Sequence, residues 1–363
     1  MSRRTLLASA GAGIAGAGIA GAGVSAGPAA GGASGQDAEP GRAPSVGFHG
    51  AHQAGIVTPP PGYLSIAGFD LVARTRDGLA QLLRTWTGVA AALTTAGGAL
   101  TVTFGLGPSL FADDRLGLAG RRPAPLVPLP PFRGEALDPG AGGGDLCVQA
   151  CADSPTAAHH AVRALLNAVR PQVGLRWRQN GFRDLDNSAD PRGMFGFRDG
   201  TSNLDIRDDT QTAEHLWVSD GPEWMHGGTY LVVRRIRLLL DTWDRTDVAQ
   251  QEAIFGRRRD TNVRLDAGPT AHVRLASPDS NGGATLLRRG FSYDAGVDPN
   301  GLMDAGLIFI CFQRDPRRQF VPIQQRLAVN DALNAYSQHR ASGVFACPPG
   351  CHEGSWIGEV LFS

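Results

Sequence analysis

"YLSIAGFDLVARTRDGLAQLLRTWTGVAAAL", Tyr63–Leu93, changes its apolar period part-way along. Tyr63–Ala73 reads as a strand and Asp77–Leu93 as an amphipathic helix, because the apolar residues of the second part recur at three and four positions. Downstream, "LTVTFGL" (Leu100–Leu106) and "DLCVQACA" (Asp145–Ala152) are strand-like, separated by a long Pro/Gly-rich insertion from "GPSLFADD" to "DPGAGGG". "SPTAAHHAVRALLNAV" (Ser154–Val169) opens with a serine cap and a proline at the first helical position, and "GLRWRQNGF" (Gly174–Phe182) closes the half as a strand. The order βαββαβ is that of the ferredoxin-like unit.

A second pass begins near residue 228. "GTYLVVRRIRLLL" (Gly228–Leu240) reads as a strand and "TWDRTDVAQQEAIF" (Thr242–Phe255) as a helix. "AHVRLA", "LLRRGFSY" and "GLIFICFQ" read as short strands, Arg318–His339 as a helix with an internal break, and "GVFA" as a last strand. The expected fold is therefore α+β: two ferredoxin-like βαββαβ halves with antiparallel sheets, at residues 48–190 and 191–363.

Residues 1–47 precede this pattern. "SRRTLLASAGAGIAGAGIAGAGVSAG" places Arg3-Arg4 before a weakly hydrophobic Ala/Gly run and small residues. That is the layout of a twin-arginine export signal, followed by a flexible linker. The competing reading is a Gly/Ala tail with two chance arginines. Glycine dilutes the run below what a membrane span needs, so no span is expected in the mature protein. Export by this route predicts an extracellular, periplasmic or envelope location, and raises the expectation of a cofactor inserted before export.

Charge excludes some partners. Lys+Arg and Asp+Glu balance at 34 each, which gives no electrostatic case for nucleic acid or an anionic membrane. The five cysteines cannot all pair internally. Cys147 and Cys151 are four apart on one strand, too far to bridge, whereas Cys347 and Cys351 flank the turn "PPG", leaving a disulfide there open.

The chemistry-bearing residues are few. "GMFGFRDGTSN" (Gly193–Asn203) sets Asp199 among two phenylalanines and several glycines, more apolar surface than a simple turn requires. His272 lies in "GPTAHVRLASP", where alternation puts it with Arg274 on one face of a strand; pattern alone leaves it a structural histidine. Arg288-Arg289, as strand neighbours, would point to opposite faces, and a basic strand edge is the plainer alternative.

Together, "GFRDGTSN", "GGTYLVVRRIR", "AHVRLASP", "LLRRGFSY" and "GLIFICFQRDPRRQFVPIQQRLA" resemble the dye-decolorizing haem peroxidases, in particular their exported, deferrochelatase/peroxidase-like branch. The resemblance runs from about Gly55 to the C-terminus. It implies one haem b per chain held between the halves of a dimeric ferredoxin-like barrel, with His272 as the proximal iron ligand. It also implies Asp199 as the distal acid/base and Arg288 as the distal cation. Gly200, Thr201, Ser277, Pro278 and Asp279 would line the haem, and Asp304 would bond the proximal imidazole. Where relatives often carry Asn-Pro-Arg, this chain has Ser277-Pro278-Asp279; Arg274 or Arg289 is expected to replace the missing haem-propionate contact. The implied partners are hydrogen peroxide and an organic reductant, with Trp217, Trp224 and Tyr336 as candidate electron relays. An iron-uptake system and a homo-oligomer belong to the same set of expectations. Two further readings stay open: release of iron from haem, and a haem-binding module with incidental peroxidase activity.

Overall fold

The computed structural model describes residues 46–95, 98–112, 114–184 and 191–363. The twin-arginine signal and most of the linker lie outside them. The N-terminal half contains β1 (Tyr63–Leu71), α1 (Arg76–Thr95), β2 (Thr101–Leu106), β3 (Leu146–Ala152), α2 (Pro155–Ala168) and β4 (Val173–Phe182). The C-terminal half contains α3 (Asp209–His215), β5 (Thr229–Leu238), α4 (Leu240–Asp244), α5 (Val248–Phe255), α6 (His272–Leu275), β6 (Leu287–Arg288) and β7 (Phe291–Val297). It ends with β8 (Met303–Gln313), α7 (Phe320–Asn330) and β9 (Ser337–Cys347).

The strands do not form two separate sheets. They run β5-β9-β2-β3-β1-β4-β7-β8, and β8 pairs back onto β5, closing an antiparallel barrel of eight strands with β6 added beside β8. Within each half the pairing is long; Tyr230 to Arg237 of β5, for example, face Gln313 to Gly306 of β8 residue by residue. Between the halves it is thin: Phe182 opposite Ser292 on one side and Leu106 opposite Ala346 on the other. Closure removes the free edges that two open sheets would expose.

Three elements depart from the sequence reading. "AHVRLA" is not a strand: His272–Leu275 is a four-residue helical turn, since the central strands already have partners on both sides and six alternating residues are too few to impose a period. Thr242–Phe255 is not one helix but two, α4 and α5, because the Asp247 carboxylate accepts the Gln250 N–H and starts a second helix. The helical reading of Arg318–His339 likewise ends at Asn330, and Ser337 begins β9.

The outer face of the N-terminal sheet is covered by α1 and α2. Leu79, Leu82, Leu83 and Trp86 of α1 and Ala158, Val162 and Leu165 of α2 are buried in one core with Phe69, Val102 and Phe104. A second core fills the lumen with Leu64, Ile66, Leu231, Val233, Phe291, Ile308, Ile310, Phe312 and Phe345. All five cysteines are free thiols, Cys347 and Cys351 included.

Candidate haem site

The outer face of the C-terminal sheet is covered differently. On β8, Ile308 and Ile310 are buried but Leu307 and Phe309, pointing the other way, are only half-buried. Ile236 on β5 lies directly opposite Leu307 and is half-buried too. Three adjoining apolar side chains on central strands thus form a patch that the described chain leaves partly uncovered.

The Gly193–Asn203 turn stands at one margin. Gly193 N–H donates to the Phe197 carbonyl at 3.0 Å and Asp199 N–H to the Pro191 carbonyl at 2.8 Å. Phe195 and Phe197 anchor the turn by burying themselves against Trp243 and Phe255; Phe197 stacks on Phe255 with ring centroids 4.2 Å apart. Gly196, at φ +80°, has no room for a Cβ, which would sit 2.5 Å from the Arg259 guanidinium. The phenylalanines are therefore the foundation of the turn, and Asp199 is its half-buried tip. A Cβ placed on Gly290 would lie 3.5 Å from Asp199 Oδ2 and 3.1 Å from Leu307 Cδ1, so Asp199 stands beside the apolar patch.

Arg288 joins the same margin. Its Nη2 donates to the Thr201 carbonyl at 2.6 Å, and its backbone is clamped by Asn203 in both directions, at 2.8 and 2.9 Å. Burial pulls the guanidinium below its usual range, and the Asp199 carboxylate opposes that fall. Arg289 points away, donating to the Thr58 carbonyl, with its surroundings including Cys151. It is thus directed toward Thr58 and Cys151 of the N-terminal half. Arg274 is exposed and donates to the Ala267 carbonyl at 3.3 Å.

A guanidinium that sequence reasoning missed lies nearby. Arg257 donates to Ser202 Oγ at 2.8 Å and to the Asn262 carbonyl at 3.0 Å. Burial lowers its affinity for the proton, and the adjacent charges of Arg264 and Arg288 lower it further. Three guanidiniums with Asp199 as the nearby carboxylate make a site that favours an anion.

His272 is reached through Phe255, whose ring centroid is 5.7 Å from the imidazole. Asp304 does not bond it. Asp304 is held by Arg235 at 2.6 Å and by the Tyr293 hydroxyl at 3.1 Å. The partner of His272 Nδ1 is the buried Asp331, at 2.6 Å. Asp304 projects from β8 with the parity of Ile308 and Ile310, into the lumen, whereas His272 sits outside the barrel. Asp331 was legible in part: it breaks the long helical pattern of 318–339, and its Oδ1 caps the turn that follows by accepting the Leu333 N–H at 2.9 Å. Ser277 caps the 3₁₀ turn Pro278–Asn281, and Pro278 and Asp279 are exposed on it. A cleft of 650 Å³ opens beside the 193–203 turn, among Arg192, Val248 and Arg258–Thr261; His272, Asp199 and Arg288 do not line it.

The donor set fits one kind of cofactor. His272 presents a single imidazole with one nitrogen engaged by a carboxylate, and no group of three His, Cys, Asp or Glu suited to a bare metal ion occurs among the described residues. A planar macrocycle that brings its own four nitrogens needs only one axial ligand, an apolar floor and cations for its carboxylates. Ile236, Leu307 and Phe309 offer such a floor, and Arg257 and Arg288 such cations.

An α+β barrel with a half-covered apolar face, one carboxylate-held imidazole and a carboxylate–guanidinium pair defines a protein built around a planar anionic cofactor. The N-terminal domain model of the Dyp-type peroxidases matches residues 53–183 and the C-terminal domain model residues 190–352. A dye-decolorizing peroxidase of Thermobifida fusca is 38% identical over 86% of this chain and 84% of its own length. A deferrochelatase of Escherichia coli K12 is 32% identical over 86% of each. The ferric form of DtpA from Streptomyces lividans superimposes with a TM-score of 0.83 at 37% identity, covering 89% of this chain and 98% of that one. The chain belongs to the Dyp-type peroxidase family and is a haem-dependent enzyme.

Proposed function

We propose that this enzyme is a haem b peroxidase, with one haem per chain, that uses hydrogen peroxide to oxidise dyes, phenols or other bulky donors in one-electron steps. The observation that supports the reading most is Asp199 beside the half-buried Leu307, with Arg288 within electrostatic reach of it and the His272–Asp331 pair joined to the same turn through Phe255 and Phe197. His272 would hold the haem iron. Asp331 accepts a hydrogen bond from Nδ1–H, which fixes the tautomer and would leave Nε2 free for the iron. The haem supplies the redox equivalents; the chain's own residues manage the protons and charges around it.

Peroxide must lose a proton from one oxygen and regain it on the oxygen that departs as water. Asp199, held at the tip of its turn, takes the first proton and returns it to the second oxygen. Gly200 N–H, 2.8 Å from Asp199 Oδ1, holds one carboxylate oxygen and leaves Oδ2 for the shuttle. Arg288, fixed through Thr201 and Asn203, stabilises the negative charge that builds as the O–O bond stretches. Gly200, Thr201 and the Ser277–Asp279 turn would border the cofactor, and Arg257 would take the place of the absent arginine as a propionate partner. Each half, ordered β4-β1-β3-β2 and β9-β5-β8-β7, is read as a ferredoxin-like repeat.

Asp199→Asn tests the shuttle. Dye oxidation by the haem-loaded enzyme should fall roughly 10²–10⁴-fold while haem content and the Soret band stay as in the parent. Unchanged turnover removes Asp199 from the mechanism. A second reading, haem-iron release, is favoured by the relatives named deferrochelatase. Free porphyrin appearing in step with released iron during incubation with excess haem decides for it. For export, Arg3→Lys with Arg4→Lys should trap the protein in the cytoplasm; equal export of the double variant ends that reading.

A further inference from the structure

We propose that the open end of the barrel, beneath β5 and β9, is a binding site for a small organic carboxylate, separate from the site at His272. A cavity of 350 Å³ lies there, lined in part by Arg235, Arg237, Arg340, Asp138, Asp298 and Asp304. Arg235 and Arg237 point to the opposite side of β5 from Ile236, so this cavity and the apolar patch lie on different faces of one strand.

The ionic partners are unevenly shared. Arg235 is paired with Asp304 at 2.6 Å, and the second oxygen of Asp304 takes the Tyr293 hydroxyl. Arg237 is paired with Asp298 at 2.8 Å, whose other oxygen accepts the N–H groups of Asn300 and Leu302. Both carboxylates are therefore fully engaged. Arg340 donates only to the neutral Gln338 Oε1, at 2.9 Å. The remaining acid, Asp138, spends Oδ1 on the Gly140 N–H at 2.8 Å and makes no ion pair with Arg340. A guanidinium in a half-enclosed cavity with three or more N–H groups unspent is a ready partner for a planar carboxylate, which it meets with two parallel hydrogen bonds.

The rim adds apolar surface. Val297 lines the cavity and is 68% exposed; Met303, its partner in register, Leu302 beside it and Leu137, next to the lining Asp138, are 46%, 51% and 40% exposed. Exposed apolar side chains gathered around an unsatisfied cation fit a ligand with a carboxylate at one end and an aromatic or aliphatic body at the other. The walls are already set. The strap bearing Asp138 is tied to β9 by Ala136 N–H to the His339 carbonyl, Asp138 N–H to the Arg340 carbonyl and Gly143 N–H to the Ser342 carbonyl.

The test uses the haem-loaded enzyme saturated with cyanide, which occupies the iron, and 4-fluorobenzoate as the probe, followed by fluorine NMR. Saturable binding is expected, weakened at least about 10-fold by Arg340→Gln and partly restored by Arg340→Lys. Asp138→Asn, which removes a competing negative charge, should tighten it. Three results overturn the proposal: no saturable binding, equal affinity in Arg340→Gln with an unaltered melting temperature, or equal affinity for 4-fluorobenzyl alcohol. Inorganic phosphate displacing the probe at the same concentration as benzoate overturns the assignment to an organic carboxylate. Loss of binding on cyanide saturation places the probe at the haem instead.

Discussion

In the N-terminal half every residue of β2 and β3 is buried, because α1 and α2 lie across one face and the lumen core fills the other. In the C-terminal half the same number of central strands carries Ile236, Leu307 and Phe309 half-buried, and the nearby helices α4, α5 and α6 have only 5, 8 and 4 residues. One sheet plan thus has two covers. Where two long helices complete the cover the half is a stable scaffold; where short helices and loops leave a gap, Asp199 stands beside it with Arg288 near, and His272 is joined to the same turn through Phe255. On the proposed function, the haem would take up the area that a helix occupies in the other half.

The largest effect that would break this comparison is expected at His272. His272→Ala removes the imidazole proposed to hold the iron, and tightly bound haem should be lost, with no normal Soret band in the purified protein. The site residues named above all lie in the C-terminal half, so folding of the N-terminal half should be unaffected. A full complement of haem in this variant would mean that the gap is not the cofactor's place.

Trp86→Ala is the converse. Trp86 is fully buried, stacks on Phe104 and donates its indole N–H to the Leu165 carbonyl at 3.0 Å, tying α1 to α2. Its removal should cost about 3–5 kcal/mol of stability, read by denaturant unfolding. Haem affinity and turnover of the folded fraction should stay as in the parent. If haem affinity fell in proportion to stability, the two covers would not be independent.

The sequence made one of these covers more legible than the other. α1 and α2 are long and strongly periodic, so their apolar faces could be read directly, as could the alternation of β1 to β4. Around the site, local pattern competes with tertiary demands. His272 sits in an alternating six-residue run that folds as a helical turn, because the closed ring offers it no partner. Asp304 and Asp331 differ in which way the backbone directs them, a distinction that period 2 on β8 only decides once the inner and outer faces of the barrel are known. Arg257 lies in a loop with no period at all, and only its placement beside Ser202 and Arg288 singles it out.

Asp331→Asn sharpens the proximal side. An asparagine still caps the Leu333 N–H through its carbonyl oxygen, but its amide end offers donors where the imidazole Nδ1–H needs an acceptor. Imidazole orientation and basicity change while the fold remains. Turnover or haem affinity should fall about 10–100-fold, with a higher reduction potential of the haem as the readout that a merely structural role would not move. Asp304→Asn, by contrast, should leave that potential in place, since Asp304 serves Arg235 and Tyr293.

The smallest effect concerns the seam beneath the gap. His339 on β9 is pushed down to about 3, first by burial and then by the charge of Arg234. Arg234 is itself paired, 1% exposed, with the buried Glu135. A histidine whose proton affinity is lowered by folding is protonated first in the unfolded chain, so its contribution is fully present above about pH 6.5 and is lost as the pH falls toward 3. His339→Gln removes that dependence. At pH 7.5 the variant and parent should differ only by lost packing; by pH 5 the difference should have moved in the variant's favour by on the order of 1 kcal/mol. The check is the pair of melting temperatures across that range. A parallel shift of both proteins with pH would show that His339 takes its proton as readily in the folded chain as outside it, and that the C-terminal sheet is more open to water at β9 than its burial implies.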